Sequence, residues 1–210
     1  MESIFTALLQ EVREILPPHL VRIFPACLAT GYVPVSWRQV KLVFIPKSGR
    51  SSYGGPSDFR PNSLTSFLLK TMERKVDRFL RDENLVPQPI HPNQNAYQPG
   101  KSMETALHKF VVQAEKALDQ QENTLGVFLY IEGAFDNTYF DSMCSAFTRH
   151  GVDQTIVRWI RATLKGRLAT AALGNVSRSV AVSRSCPQGG VLSPILWCLV
   201  VDDLLVRLNE

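Results

Sequence analysis

LGVFLYIEGAFDN, residues 125–137, is the stretch on which the fold turns. Its first seven residues form a continuous apolar and aromatic run, the composition of a strand buried on both faces. Gly133 then begins a turn, and Asn137 and Thr138 are both offered as caps for a following helix, with Asp141 in its first turn. On the upstream side, Ser102 caps a helix whose apolar positions are Met103, Ala106, Leu107, Phe110, Val111, Ala114, Ala117 and Leu118. That one-sided stripe at three-four spacing predicts a core-facing helix.

Further out, Pro17-Pro18 separates two amphipathic helices, expected over residues 2–15 and 18–30, and Gly31 closes the second. Residues 40–45 read as a short strand stopped by Pro46, and the Gly- and Ser-rich run SGRSSYGGPSD (48–58) as a mobile loop. A helix is expected over about 66–81, then a connector with four prolines between positions 86 and 100. Downstream come a helix over 153–165 ended by Gly166, and a β-hairpin over 168–186 turning at Gly174-Asn175. Gly189-Gly190 leads into a strongly apolar final helix. Helices and strands mix without a βαβ rhythm, which predicts an α+β fold with a small antiparallel sheet.

Composition sets outer bounds. The chain has 210 residues, 45% hydrophobic and 20% charged, enough for one domain or a domain with a subdomain, and unlike a disordered chain. The formal net charge is +4 but unevenly spread. Residues 36–81 hold ten Lys or Arg against Asp58, Glu73 and Asp77, so this stretch is +7 and the remainder −3. Such a segment suits phosphates or a nucleic-acid backbone, and equally a solvated helix face. Cys27, Cys144, Cys186 and Cys198 are scattered without metal-ligand spacing, which argues against a zinc site or a disulfide framework and for reduced thiols inside a cell. The N-terminus is no signal peptide, and no apolar run is long enough for a membrane span.

Five separate stretches, in order, resemble the blocks of reverse transcriptases from non-LTR (LINE-type) retrotransposons. They are GYVPVSWRQVKLVFIPKSG (31–49), SDFRPNSLTSFLLKTMERKV (57–76), HPNQNAYQPGKSMETALHK (91–109), IEGAFDN (131–137) and CPQGGVLSPILW (186–197). The resemblance implies right-hand polymerase fingers over residues 1–124, with an N-terminal extension and the start of a palm helix. It implies a partial palm with motifs A and B over 125–210, truncated before the catalytic hairpin.

It also implies roles. Lys47 and Arg60, in the IPK and DFRP motifs, stand where the family grips the incoming triphosphate, and a guanidinium suits bidentate phosphate contact. Phe135 stands where the family sets an aromatic ring under the sugar to exclude a 2′-hydroxyl. Gln188 corresponds to the polar residue beside nucleotide and template. Asp136 and Asn137 complete motif A. The implied partners are RNA template, DNA primer and dNTP, the implied cofactor is Mg²⁺, and the implied site of action is nuclear.

One position departs sharply. The family motif Asp-Ile-Glu-Gly-Ala-Phe-Asp reads Tyr130-Ile131-Glu132-Gly133-Ala134-Phe135-Asp136 here. Mg²⁺ needs anionic oxygens in a tight octahedron, and a phenol with a pKa of about 10 is neutral at pH 7. Glu132 would share a strand face with Tyr130 but sit roughly 7 Å further along. With Tyr130 in this slot, only the backbone of Ile131 remains of the usual motif A ligands, and productive metal binding is not expected. A single base change turns an Asp codon into a Tyr codon.

Val201-Asp202-Asp203-Leu204 imitates the family's Asp-Asp hairpin but continues the last helix without a break, so both acids are expected on a helix surface. Asn62 replaces an apolar residue of the family pattern. The expectation is therefore an inactive reverse-transcriptase fragment, prone to self-association through an exposed palm strand edge. Two alternatives stand beside it: an intact enzyme misread or truncated in sequence, and a repurposed module that binds RNA or template–primer.

Overall fold

The computed structural model describes residues 10–49 and 51–208. The first helix expected, over 2–15, falls largely outside them. Helix α1, Leu16–Thr30, opens on its paired prolines, where a missing N–H costs nothing. It closes at Gly31 (φ 65°), with Gly31 N–H bonded to Leu28 O and Tyr32 N–H to Cys27 O. Arg158 adds a bond to Ala29 O.

Strand β1, Gln39–Pro46, pairs antiparallel with β2, Phe59–Leu64, from Lys41↔Leu64 to Pro46↔Phe59. The hairpin expected downstream is present as β3, Leu168–Leu173, and β4, Val176–Ala181. All four form one sheet in the order β2-β1-β3-β4. The sheet is mixed, not antiparallel throughout, because β1 and β3 run parallel from Gln39↔Leu168 to Leu42↔Ala171. A parallel pair needs a long crossover, and the helices between positions 46 and 168 supply it.

Helix α2, Phe67–Phe79, widens into a π turn at Leu80–Asn84. Helix α3 is Met103–Asp119, with Ser102 Oγ accepting from Thr105 N–H as its sequence predicts. Helices α4, Phe140–Arg149, and α5, Gln154–Leu164, form a hairpin, and α6 is Ser193–Leu208. The N-cap of α4 is Tyr139 and makes no side-chain cap bond; Thr138 Oγ1 instead bonds Ala134 O within the preceding turn.

The core lies among α2, α4, α5 and α6. Met72, Met143, Phe147, Trp159, Ile160, Ile195 and Leu199 are all fully buried there, and Val40 and Ala169 carry the burial onto one sheet face. All four cysteines are free and buried. No helix among the described residues is long and apolar enough to cross a membrane.

Two expectations fail together. Residues 125–131 are not in a strand, and their side chains are exposed. Helix α3 forms, yet none of its residues is buried, and Met103, Leu107 and Leu118 stand in solvent. A strand needs a partner for its N–H and C=O groups, and no described strand runs beside 125–131. The Phe110–Phe128 ring contact, at 5.7 Å, joins α3 to these residues.

Asp202 and Asp203 do lie on α6, but not both on its surface: Asp202 is buried. Asp202 accepts from His91 N–H at 2.6 Å and sits 3.3 Å from His150 Nε2, while Asp203 faces Arg149 and Arg207.

Candidate functional site

Three short segments, far apart in sequence, meet at one end of the sheet. The first is the turn after residues 125–131. Gly133 adopts φ 60° with Asn137 packed over its Cα, and Asn137 N–H bonds Gly133 O, so the turn is tight. The second is the loop 186–190 ahead of α6. Cys186 N–H bonds Phe135 O at 2.7 Å and Ser185 N–H bonds Thr138 O at 2.9 Å, fastening this loop to the turn. The third is β2, whose Ser63 N–H bonds Gln188 O at 2.7 Å.

Side chains complete the junction. Gln188 Nε2 donates to Asp136 Oδ1 at 3.1 Å, across 52 positions of sequence. Gly189 has φ +92°, and the space where a Cβ would go is taken by Asn62 Oδ1 and Ser63 O. Only glycine fits that conformation and that approach. Asn62 therefore lies against the loop, in the slot where the sequence departs from the apolar pattern.

Below the loop, Glu73 of α2 is 4% exposed, and its Oε2 accepts from Val191 N–H at 2.9 Å. Burial raises its carboxyl pKa above the ordinary range, opposed by the amides of Val191 and Leu192 and more weakly by Lys70 and Arg167. Arg167 is likewise buried; its guanidinium donates to Leu164 O and Ser185 O and lies over the Phe140 ring. Burial lowers its pKa to about 10. Neither residue stood out in the sequence, where Glu73 reads as one more charge on a basic amphipathic helix.

Phe135 is half-buried between two rings. It stacks on Trp197 of α6 at 5.8 Å and 29°, and meets Tyr97 edge-on at 6.5 Å and 86°. Arg60 is exposed on β2, on the same face as Asn62, and two residues of strand put it roughly 7 Å further from the loop. Lys47 follows β1, with its N–H on Asp58 O and its own carbonyl accepting from Tyr53 Oη. Sheet pairing puts Arg60 and the start of Lys47's loop at the Pro46–Phe59 end of the β1–β2 hairpin, whereas Gln188 is bonded at Ser63, near the opposite Lys41–Leu64 end.

Tyr130 is not brought in. Its ring is 90% exposed, and among the described residues it makes no hydrogen bond or ring contact. Ile131 is also exposed. The side-chain oxygens near this turn include the Tyr130 phenol, the exposed Glu132 and Asp136, already bonded to Gln188. Among the described residues no three His, Cys, Asp or Glu converge as metal ligands. This donor set does not fit a divalent ion that wants several carboxylate oxygens.

The family model described as "Reverse transcriptase (RNA-dependent DNA polymerase)" matches residues 45–210. The chain belongs to the reverse transcriptase family. Its similar relatives place it with the non-LTR retrotransposon members. It is 26% identical, over its whole length, to the putative 115 kDa protein in type-1 retrotransposable element R1DM of Drosophila melanogaster, covering 20% of that protein. It is 28% identical over 93% of its length to the Pol polyprotein from type-1 retrotransposable element R2 of Popillia japonica, covering 26% of that one. To the RNA-directed DNA polymerase from mobile element jockey of Drosophila melanogaster it is 28% identical over 88% of its length, covering 20%. The chain thus spans about a fifth to a quarter of the curated relatives it matches. Within the matched region, the turn at Phe135–Asp136 and the loop at Gln188–Gly189 are joined by hydrogen bonds.

Proposed function

We propose that this chain supplies the fingers and the front of the palm of a non-LTR reverse transcriptase, and that it keeps the nucleotide side of the site without the power to polymerise. The division into fingers (1–124) and partial palm (125–210) follows motif order; in space, the sheet draws strands from both segments. Lys47 and Arg60 grip the triphosphate, Gln188 lies beside the base, and Phe135 tests the sugar. RNA template, DNA primer and dNTP are the partners.

The observation that carries this reading is the Gln188–Asp136 hydrogen bond with the Cys186–Phe135 bond beside it. Together they join the loop 186–190 to the turn at Phe135, which supports reading these segments as motifs B and A with Phe135 as the sugar-contacting ring. Inactivity rests on Tyr130. Bound Mg²⁺ supplies the charge neutralisation on which nucleotidyl transfer depends, usually the largest contribution to catalysis. A phenol in solvent cannot hold it. The purified chain, given Mg²⁺, template–primer and dNTPs, is expected to extend no primer; extension that EDTA abolishes would refute this.

A second reading is favoured by one observation. Lys41 and Lys70 line a groove of about 750 Å³ with Thr170 and Ser179, and among the described residues no carboxylate lies within ion-pair distance of either ammonium. A basic groove without acids suits a nucleic-acid backbone, so the chain would still bind RNA without catalysis. The exposed apolar residues 125–131 and helix α3 further support self-association through that face.

A further inference from the structure

The ring proposed to test the sugar is not held by its own segment. Phe135 lies in an irregular turn, outside any helix or strand, and is half-buried against the core. A side chain that could swing away would exclude nothing. Two rings from outside motif A confine it: Trp197 stacks on one face, and Tyr97 presents its edge.

Both supports are themselves anchored. Trp197 lies on α6, four residues beyond Ser193, whose Oγ bonds Pro187 O at 2.5 Å, so the helix that carries the ring also carries the Gln188 loop. Tyr97 has φ 56°, an uncommon conformation for an aromatic residue. It is kept there from two sides. Arg81, paired with Asp77, donates to Tyr97 O at 3.3 Å, and Cys198 Sγ, next to Trp197, donates to Ala96 O at 3.3 Å. The connector after α2 is thereby fixed to α6 at the level of the Phe135 ring.

We infer that Trp197 and Tyr97 are specificity-determining residues of this chain: they hold the Phe135 ring in place, so that its discrimination between deoxyribo- and ribonucleoside triphosphates depends on them. Neither ring touches the nucleotide in this scheme; both act through Phe135. The inference rests on the proposed sugar-testing role of Phe135.

The test is equilibrium binding of dGTP and of GTP to the full 210-residue chain, read as the ratio of the two affinities. A ring that only stabilised the fold would change both affinities together and leave the ratio alone. The parent chain is expected to prefer dGTP, and Phe135→Ala to abolish that preference. Trp197→Leu should reduce the ratio on the order of fivefold to tenfold by strengthening GTP binding, while Trp197→Phe, which keeps a stacked ring, should retain it. Tyr97→Asn removes the second ring at an exposed position with a residue that accepts positive φ, and should reduce the ratio less.

A ratio unchanged in Trp197→Leu and in Tyr97→Asn, but lost in Phe135→Ala, would overturn this inference and leave the sugar-testing role standing. No preference in the parent chain, or one that survives Phe135→Ala, would overturn that role and this inference with it. If Trp197→Leu does not fold, as judged by circular dichroism, Tyr97→Asn decides: an unchanged ratio there overturns the inference.

Discussion

Glu73 and Gly189 show how much a single position decides here. Glu73 answers the part-buried amide of Val191, just ahead of α6, so Glu73→Ala should cost about 1–3 kcal/mol by leaving that N–H unpaired. Its charge has the opposite sign of effect. A carboxyl whose folded pKa is raised binds its proton more tightly when folded. The associated stability is complete below its ordinary value of 4.5 and is lost as pH rises through the folded value. Glu73→Gln, which keeps an acceptor and removes the titration, should flatten the pH dependence of stability above 4.5; denaturant melts from pH 4 to 8 check this. At Gly189, Gly189→Ala should destabilise by about 1–3 kcal/mol through its positive φ and the Asn62 contact. The same melts at pH 7 measure it.

Among the elements, α3 and residues 125–131 depart most from what their sequences lead one to expect. Their sequences predict burial, and their side chains are in solvent. Substituting them should therefore cost little, unlike the core. Phe147→Ala, at a fully buried ring between α4 and its neighbours, should lower stability by about 3–5 kcal/mol. Phe128→Glu and Leu107→Glu, both at exposed positions, should each change it by no more than about 0.5 kcal/mol. These two should also reduce association measured by light scattering, since each puts a charge on the apolar face. An unchanged particle size would count against that face as the contact.

At the scale of the whole molecule, charge is the long-range property. Acids concentrate away from residues 36–81, and Lys41, Lys70 and Arg60 all lie on β1, β2 or the start of α2. RNA affinity should fall linearly in log–log form with salt, with a slope of about −2 to −3 if three or four cations meet phosphates. Lys41→Glu with Lys70→Glu should make that slope shallower by about 1 and weaken all RNA sequences alike. Filter binding over 50–300 mM salt measures both, and a slope unchanged by the double substitution would remove the groove from the interface.

Many of the elements were legible in local chemistry: α1 from its prolines and Gly31, β1 from its apolar run, the β3–β4 hairpin from its strand run and turn, and α3 from Ser102; β2, Phe59–Leu64, was not. The motif blocks alone also made Lys47, Arg60, Phe135 and Gln188 candidates and drew attention to Tyr130, where the family pattern has Asp. These are short-range or motif-level properties that a linear reading can hold. The parallel β1–β3 pairing, the Glu73 clamp and the Trp197–Phe135–Tyr97 stack join residues separated by tens to more than a hundred positions. No periodicity encodes which distant group answers which. The same holds for residues 125–131: an apolar run carries the propensity for a buried strand, but a strand exists only where tertiary structure sets another beside it to take up its backbone hydrogen bonds.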